Sequence, residues 1–268
     1  MTDVRDTLFQ KISEKRYRAV LTAEHSGVLS GEAEARACAE NLGVEFELCK
    51  KDGDELSRGE RFANLLASSK QIALAEEQLI GTLAKASGIA TAARTAVQLA
   101  DGKMKIVSGS WKKMPPQMKQ MVRSATFTGG ASFRICEQPM IYLDKNFIRM
   151  LGSIPKALEA CKPFEESTKV VQIKGITGTI EEETQQAICG GGNIVMVDTG
   201  NLEDLRRCRK VMEASGKREK LKLAFAGGVR LTDIPGLADE RIDILCIGKE
   251  IVDAQLLDMK LDVIQEET

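Results

Sequence analysis

Asn193-Ile-Val-Met-Val-Asp198 is the stretch on which the fold turns. Four apolar residues in a row leave neither face of a strand for water, and a strand buried on both faces belongs in the middle of a parallel sheet. Similar short apolar runs recur on either side, at residues 104–107, 140–143 and 170–173 before it and 221–225 and 242–247 after it. Between and after them lie stretches with helical spacing, at 116–125, 154–161, 180–189, 202–213 and 251–257. Alternating strand and helix predicts an α/β fold with a parallel sheet. A doubly wound sheet and a barrel both satisfy that rhythm. No Gly-x-Gly-x-x-Gly turn follows the first run, which disfavours a dinucleotide fold.

Upstream the rhythm differs. Residues 32–42 read as a helix, with Ala33, Ala37 and Leu42 at helical spacing and Gly43 as the stop. Residues 44–49 alternate as a strand, and Lys51-Asp-Gly-Asp54 is a turn. A long helix is expected over 72–99, interrupted by Gly81 and Gly88. Each glycine costs about 1 kcal/mol relative to alanine, so each marks close backbone packing or a break. The expected organisation is an N-terminal domain over 1–102, a second domain over 103–250, and a C-terminal helix or tail over 251–268 that packs back on the first.

Composition narrows the function. Lysine and arginine number 38 against 39 acids, for a net charge of −1. Such a balanced surface predicts neither a nucleic acid nor a membrane as partner, and confines basic character to a pocket. The seven cysteines are widely spaced with no Cys-x-x-Cys, which predicts reduced thiols used as small apolar residues. Residues 1–11 carry no apolar signal region, and no run approaches the ~20 residues of a membrane span, so a cytoplasmic chain is expected. The single histidine, His25, excludes a histidine-rich metal site and is expected to be structural or exposed.

Polar residues stand where several runs end: Lys174 and Gly175, Asp198, Gly227-Gly228, and Gly248-Lys249. In a barrel that rim carries the chemistry, and late strands followed by glycine turns suit a phosphate. Gly190-Gly191-Gly192 precedes a run instead and is expected to be a helix C-cap and turn. Asp198 is expected either to orient a sugar or metal or to cap the following helix.

Ser87-Gly-Ile-Ala-Thr91, Ala226-Gly-Gly-Val229, Cys246-Ile-Gly248, Gly27-Val-Leu-Ser-Gly31 and Lys51-Asp-Gly-Asp54 together resemble, in order along the chain, the quinolinate phosphoribosyltransferase family. The resemblance implies a partly open, TIM-like α/β barrel with an N-terminal α/β sandwich domain. It also implies a homodimer or higher homo-oligomer, in which one N-terminal domain caps the partner's barrel. Family enzymes join quinolinate to phosphoribosyl pyrophosphate and release CO₂ and pyrophosphate, gripping the diacid with Arg, Lys and His because two desolvated carboxylates need fixed cations.

This chain departs from that cage. The family's Glu-Arg-Thr falls on Glu76-Glu77-Gln78, Thr-Arg-Lys-Thr on Trp111-Lys112-Lys113-Met114, His-Arg on Phe133-Arg134 and Lys-Asp-Asn on Asp144-Lys145-Asn146. Two glutamates fall on Gln172 and Ala224, while the Leu-Asp-Asn aspartate is kept as Asp198. A glutamate for an arginine turns attraction into repulsion, about 4 kcal/mol per unit-charge pair at ~4 Å and an effective dielectric of ~20. The resemblance therefore implies catalytic roles for Lys113, Lys145 and Asp198. Substrate or phosphate contacts are expected from Lys112, Arg134, Gln172, Gly227, Gly228, Gly248 and Lys249. No metal ligand set is expected, and magnesium accompanying phosphoribosyl pyrophosphate is the one cofactor. The leading expectation is a phosphoribosyltransferase whose acceptor is not quinolinate. A barrel that has lost catalysis, and a true quinolinate enzyme with a rearranged cage, are the alternatives.

Overall fold

Strand β9 (Ile194–Asp198) lies inside a six-stranded parallel sheet, as its double-sided apolar run requires. The computed structural model describes residues 3–267, and these form two compact units: one of residues 3–95, 113–130 and 251–267, the other of residues 96–112 and 131–250.

In the first unit, β1 (Arg16–Ala23) pairs antiparallel with β5 (Arg61–Ser68) on one side and β12 (Met259–Glu266) on the other, and β3 (Glu45–Leu48) extends the sheet beyond β5. Short strands β2 (Gly27–Val28) and β4 (Glu55–Leu56) pair separately. After the brief α1 (Val4–Leu8), the helices α2 (Glu32–Leu42) and α3 (Ser69–Ala100) pack on the sheet. Leu21, Phe62 and Leu65 meet Ala35, Ala39, Leu79 and Leu83 in one buried cluster. This is the sandwich arrangement, sheet against helices.

Helix α3 runs unbroken through both of its glycines. Gly81 opens onto free space, but a Cβ on Gly88 would stand 2.0 Å from the carbonyl oxygen of Gln255, so this glycine admits a backbone approach no side chain would allow. The expected helix over 251–257 is helical only to Val252, in α10 (Lys249–Val252), and the chain then becomes strand β12. The period-2 alternation of Met259, Leu261 and Val263 with Lys260 and Asp262 is the signal for it. Residues 113–130, with α4 (Lys119–Thr128), group with the first unit although the sequence reading put them in the second. Gly129 approaches α3 closely there: its missing Cβ would lie 2.3 Å from the Ala90 carbonyl oxygen.

The second unit holds β6 (Lys105–Val107), β7 (Met140–Leu143), β8 (Thr168–Ile173), β9, β10 (Lys222–Ala226) and β11 (Ile244–Cys246), in the order β6-β11-β10-β9-β8-β7. The first strand thus pairs with the last, as in a closing barrel, while β6 and β7, neighbours in sequence, are left as the edges. One parallel bridge, Val107 to Ser132, lies at that gap. The barrel is therefore partly open. Val107, Val170, Ile194, Met196, Ala224 and Ile244 fill its interior, while Val171, Val195, Leu223 and Leu245 alternate outward and are equally buried.

The helices of this unit are α5 (Lys145–Leu151), α6 (Ile154–Ala160), α7 (Ile180–Cys189), α8 (Leu202–Ala214) and α9 (Ile234–Leu237). Thr179 and Glu182 form a reciprocal capping box at the start of α7. Gly190 caps its end, with Gly191 at φ +86° in the following turn, as expected. No helix is long and apolar enough to cross a membrane among the described residues. Cys161 and Cys208 are buried, and all seven thiols are free.

Candidate functional site at the barrel rim

Both ends of the barrel carry ion pairs, and the C-terminal end also carries a group of cations without them. Near the N-terminal ends of β10 and β11, Arg218 pairs with Asp243 at 3.0 Å, and Arg206 and Arg209 pair with Glu240 at 2.6 and 3.0 Å. At the C-terminal end, Lys112, Arg134, Lys145, Arg149 and Lys249 have no acid partner among the described residues. Lys112 instead lies with its ammonium 5.3 Å from the centre of the Tyr142 ring, and Arg134 lies 5.2 Å from that of Phe133. The Trp111 indole donates to the Phe133 carbonyl at 2.7 Å, tying the segment after β6 to the one before β7.

Gln172 and Asp198 face the same side of the sheet by the period of two, one strand apart. The Gln172 amide is used at both ends: its oxygen accepts from the Lys145 backbone N–H at 2.7 Å, and its nitrogen donates to Asp198 Oδ2 at 2.5 Å. The Lys174 ammonium donates to the Asp198 backbone carbonyl and lies 3.3 Å from Oδ2. Asp198 does not cap α8; Asn201 does, accepting from the Glu203 N–H at 2.8 Å.

Behind this group Glu183, buried on α7, accepts from the backbone N–H groups of Lys174, Gly175, Ile176 and Thr177 at 2.7 to 2.9 Å, and from the Thr177 hydroxyl. Burial pushes its carboxyl up, but these donors outweigh that and hold it below the usual carboxylate range. The carboxylate thereby fixes the whole β8–α7 turn, and with it the base of Lys174. Sequence reading missed Glu183 because the run Glu181-Glu182-Glu183 looks like a solvated face. It noted Lys174 as a strand-end residue but gave it no role.

Tyr142 and Cys246 point into the same interior. Burial raises the Cys246 thiol to about 12, Asp198 adding to the rise and Lys112 and Lys105 opposing it. It is therefore a protonated, weakly polar wall rather than a nucleophile. The Tyr142 hydroxyl is likewise held well above its ordinary value, chiefly by burial.

The glycine turns have mixed causes. Gly227, at φ +115°, would meet the Gly200 nitrogen at 2.3 Å with an added Cβ, so contact with the β9–α8 loop is sufficient reason for it. Gly248 is packed on the Ser110 hydroxyl. Gly228, at φ +76°, opens onto free space, and the N–H groups of Gly228, Val229 and Gly248 meet no protein acceptor among the described residues. Such donors suit an anion.

Several expectations change. Asp144 does not face a ligand: its carboxylate caps α5, accepting from the N–H groups of Asn146 and Phe147 at 2.8 and 3.0 Å. Glu77 forms an ion pair with Arg5, so its charge is balanced within its own unit. Glu77, read from the sequence as repulsive, thus has a counter-charge beside it. Lys113 belongs to the first unit and is not among the groups that the second brings together. His25 is exposed in the first unit, 3.8 Å from Asp258.

The Lys174 ammonium beside Asp198 disfavours a magnesium ion at that carboxylate. Lys174 and Gln172 share Oδ2 of Asp198, Glu183 is spent on backbone N–H groups, and no cluster of three or more metal-binding side chains exists among the described residues.

Comparison with known proteins agrees with this architecture. The family descriptions "Quinolinate phosphoribosyl transferase, N-terminal domain" and "C-terminal domain" match residues 3–87 and 89–262. The probable nicotinate-nucleotide pyrophosphorylase [carboxylating] of Bacillus subtilis is 28% identical over 254 residues, covering 93% of this chain and 84% of that protein. The probable enzyme of that name from Methanothermobacter thermautotrophicus is 25% identical over 252 residues, covering 92% and 88%. A crystal structure of nicotinate-nucleotide pyrophosphorylase from Ehrlichia chaffeensis superposes with a TM-score of 0.83 at 19% identity, covering 96% of this chain and 92% of that one, a likeness of fold. With both family domains matched in order over nearly its whole length, the chain belongs to the quinolinate phosphoribosyltransferase family.

Proposed function

We propose that the chain is a phosphoribosyltransferase that binds phosphoribosyl pyrophosphate at the barrel rim and transfers the ribosyl group to a heteroaromatic acceptor less acidic than quinolinate. One observation carries this reading: Lys112, Arg134, Lys145, Arg149 and Lys249, at the C-terminal end of the barrel, have no acid partner among the described residues. Uncompensated cations converging on one rim are stabilised by an anionic ligand. Lys112, Arg134, Lys145 and Lys249, with the free N–H groups of Gly228 and Gly248, supply donors for two phosphate groups. As pyrophosphate leaves, the bond from C1 of the ribose to oxygen breaks and positive charge grows on C1. Asp198, anchored by Gln172 and Lys174, is the carboxylate available to orient the sugar and offset that charge. The acceptor's ring nitrogen then bonds to C1, with the Tyr142 ring as an aromatic surface for the acceptor. Protonated Cys246 adds no charge to that pocket.

A second reading, quinolinate itself as acceptor, is favoured by the names of the relatives and by the neutralisation of Glu77 and Asp144. Pyrophosphate release, followed with phosphoribosyl pyrophosphate and a panel of pyridine and azole acceptors, tests both. The proposal expects turnover with a neutral or monocarboxylate acceptor at least about tenfold above that with quinolinate, a difference of about 1.4 kcal/mol. Preference for quinolinate establishes the second reading. No release with any acceptor, despite sugar binding, means a barrel without catalysis.

A further inference from the structure

We infer that Lys174 supplies, from within the chain, the positive charge a divalent cation would otherwise bring to Asp198, so that the rim binds its sugar pyrophosphate without a protein-held metal ion. The inference rests on the reading of the rim as a sugar-pyrophosphate site and adds to it how the site balances charge. Its basis is the contrast between Lys174 and the other rim cations. Lys112, Arg134, Lys145, Arg149 and Lys249 have no acid partner among the described residues, whereas Lys174 reaches both the backbone carbonyl and the carboxylate of Asp198. Gln172 holds the same Oδ2 from the other side at 2.5 Å.

That arrangement is built in rather than incidental. Lys174 begins the turn whose four N–H groups end on the buried Glu183, so its backbone is immobilised one residue beyond the strand. A lysine ammonium is a compact charge with three donors. Two of those donors face Asp198, which leaves the third for a phosphate or ribose oxygen. A divalent ion taken up by the other oxygen of Asp198 would stand beside this ammonium, and two positive charges that close repel. Glu183 is spent on both of its oxygens and Asp144 gives Oδ1 to the cap of α5. An ammonium thus already offsets the Asp198 charge at the position where a cation would otherwise do so.

The test is the affinity for phosphoribosyl pyrophosphate, measured by calorimetry in EDTA and again in millimolar magnesium, for the wild type and for Lys174→Met. For the wild type the two dissociation constants should agree within about threefold. Lys174→Met should bind at least about tenfold more weakly in EDTA and recover part of that loss in magnesium, because the freed Asp198 can then take the ion. Lys174→Gln, with thermal melting as the check on folding, repeats the comparison if the methionine variant is unstable. Wild-type binding that disappears in EDTA and returns with magnesium overturns the inference while leaving the sugar site intact. A variant that binds as tightly as the wild type in EDTA also overturns it. Absence of binding under both conditions removes the sugar site and the inference together.

Discussion

Replacing Glu183 by glutamine should destabilise the barrel unit by about 2–4 kcal/mol, lowering its melting temperature by roughly 5–12 °C. Glu183 is 2% exposed and accepts from four consecutive backbone N–H groups and one hydroxyl. An amide keeps one acceptor oxygen but turns an NH₂ toward two of those donors, and a donor facing a donor in a buried site loses the bond and its desolvation cost as well. The effect has a pH signature. Because the folded carboxyl titrates below its ordinary range, the unfolded chain binds the extra proton first as the pH falls. The stabilisation is complete above the usual carboxylate range and disappears as the pH drops through the lowered folded value. Urea unfolding at a series of pH values should show the wild type losing stability across that acidic window more steeply than Glu183→Gln. Equal slopes and equal midpoints would mean that the β8–α7 turn does not depend on this carboxylate.

What the sequence could disclose divides along a physical line. The strand at 194–198 was legible because burial on both faces leaves a run of apolar residues; Asp198 was legible as a rim residue by its position at a strand end, and Gln172 only through the family resemblance. The partner of a charge is not written locally. Glu77 read as a repulsive acid and Asp144 as half of an exchanged pair with Lys145, yet Glu77 meets Arg5, 72 positions away, and Asp144 caps the helix that follows it. Asp144 did carry a signal, since an aspartate just before Lys145 is a preferred N-cap. Glu183 carried none that separates it from its exposed neighbours Glu181 and Glu182. Only the fold brings the turn of 174–177 back over α7. Strand β12 was missed because a single helical reading of 251–257 was extended over the alternation that followed.

Lys112→Met should weaken phosphoribosyl pyrophosphate binding by about 30–100-fold, or roughly 2–3 kcal/mol, with little change in melting temperature. The methionine keeps an unbranched stem over the Tyr142 ring, so packing at the barrel mouth is preserved while the charge is lost. Lys112 has no acid partner to be left behind, and its removal therefore strands no buried carboxylate. The expected loss is in binding, with the fold unaffected. Affinity of the wild type should also fall between low and high salt more than that of the variant, since one screened charge has gone. A variant that binds as the wild type does would remove Lys112 from the site.

The central claim is that the unpaired cations at the C-terminal rim exist to hold a pyrophosphorylated sugar. Calorimetric titration of the wild-type chain with phosphoribosyl pyrophosphate tests it most directly. The account predicts one saturable site per chain, with a dissociation constant of micromolar order, weakened by salt and accompanied by a higher melting temperature. No heat and no thermal protection at millimolar ligand would contradict it.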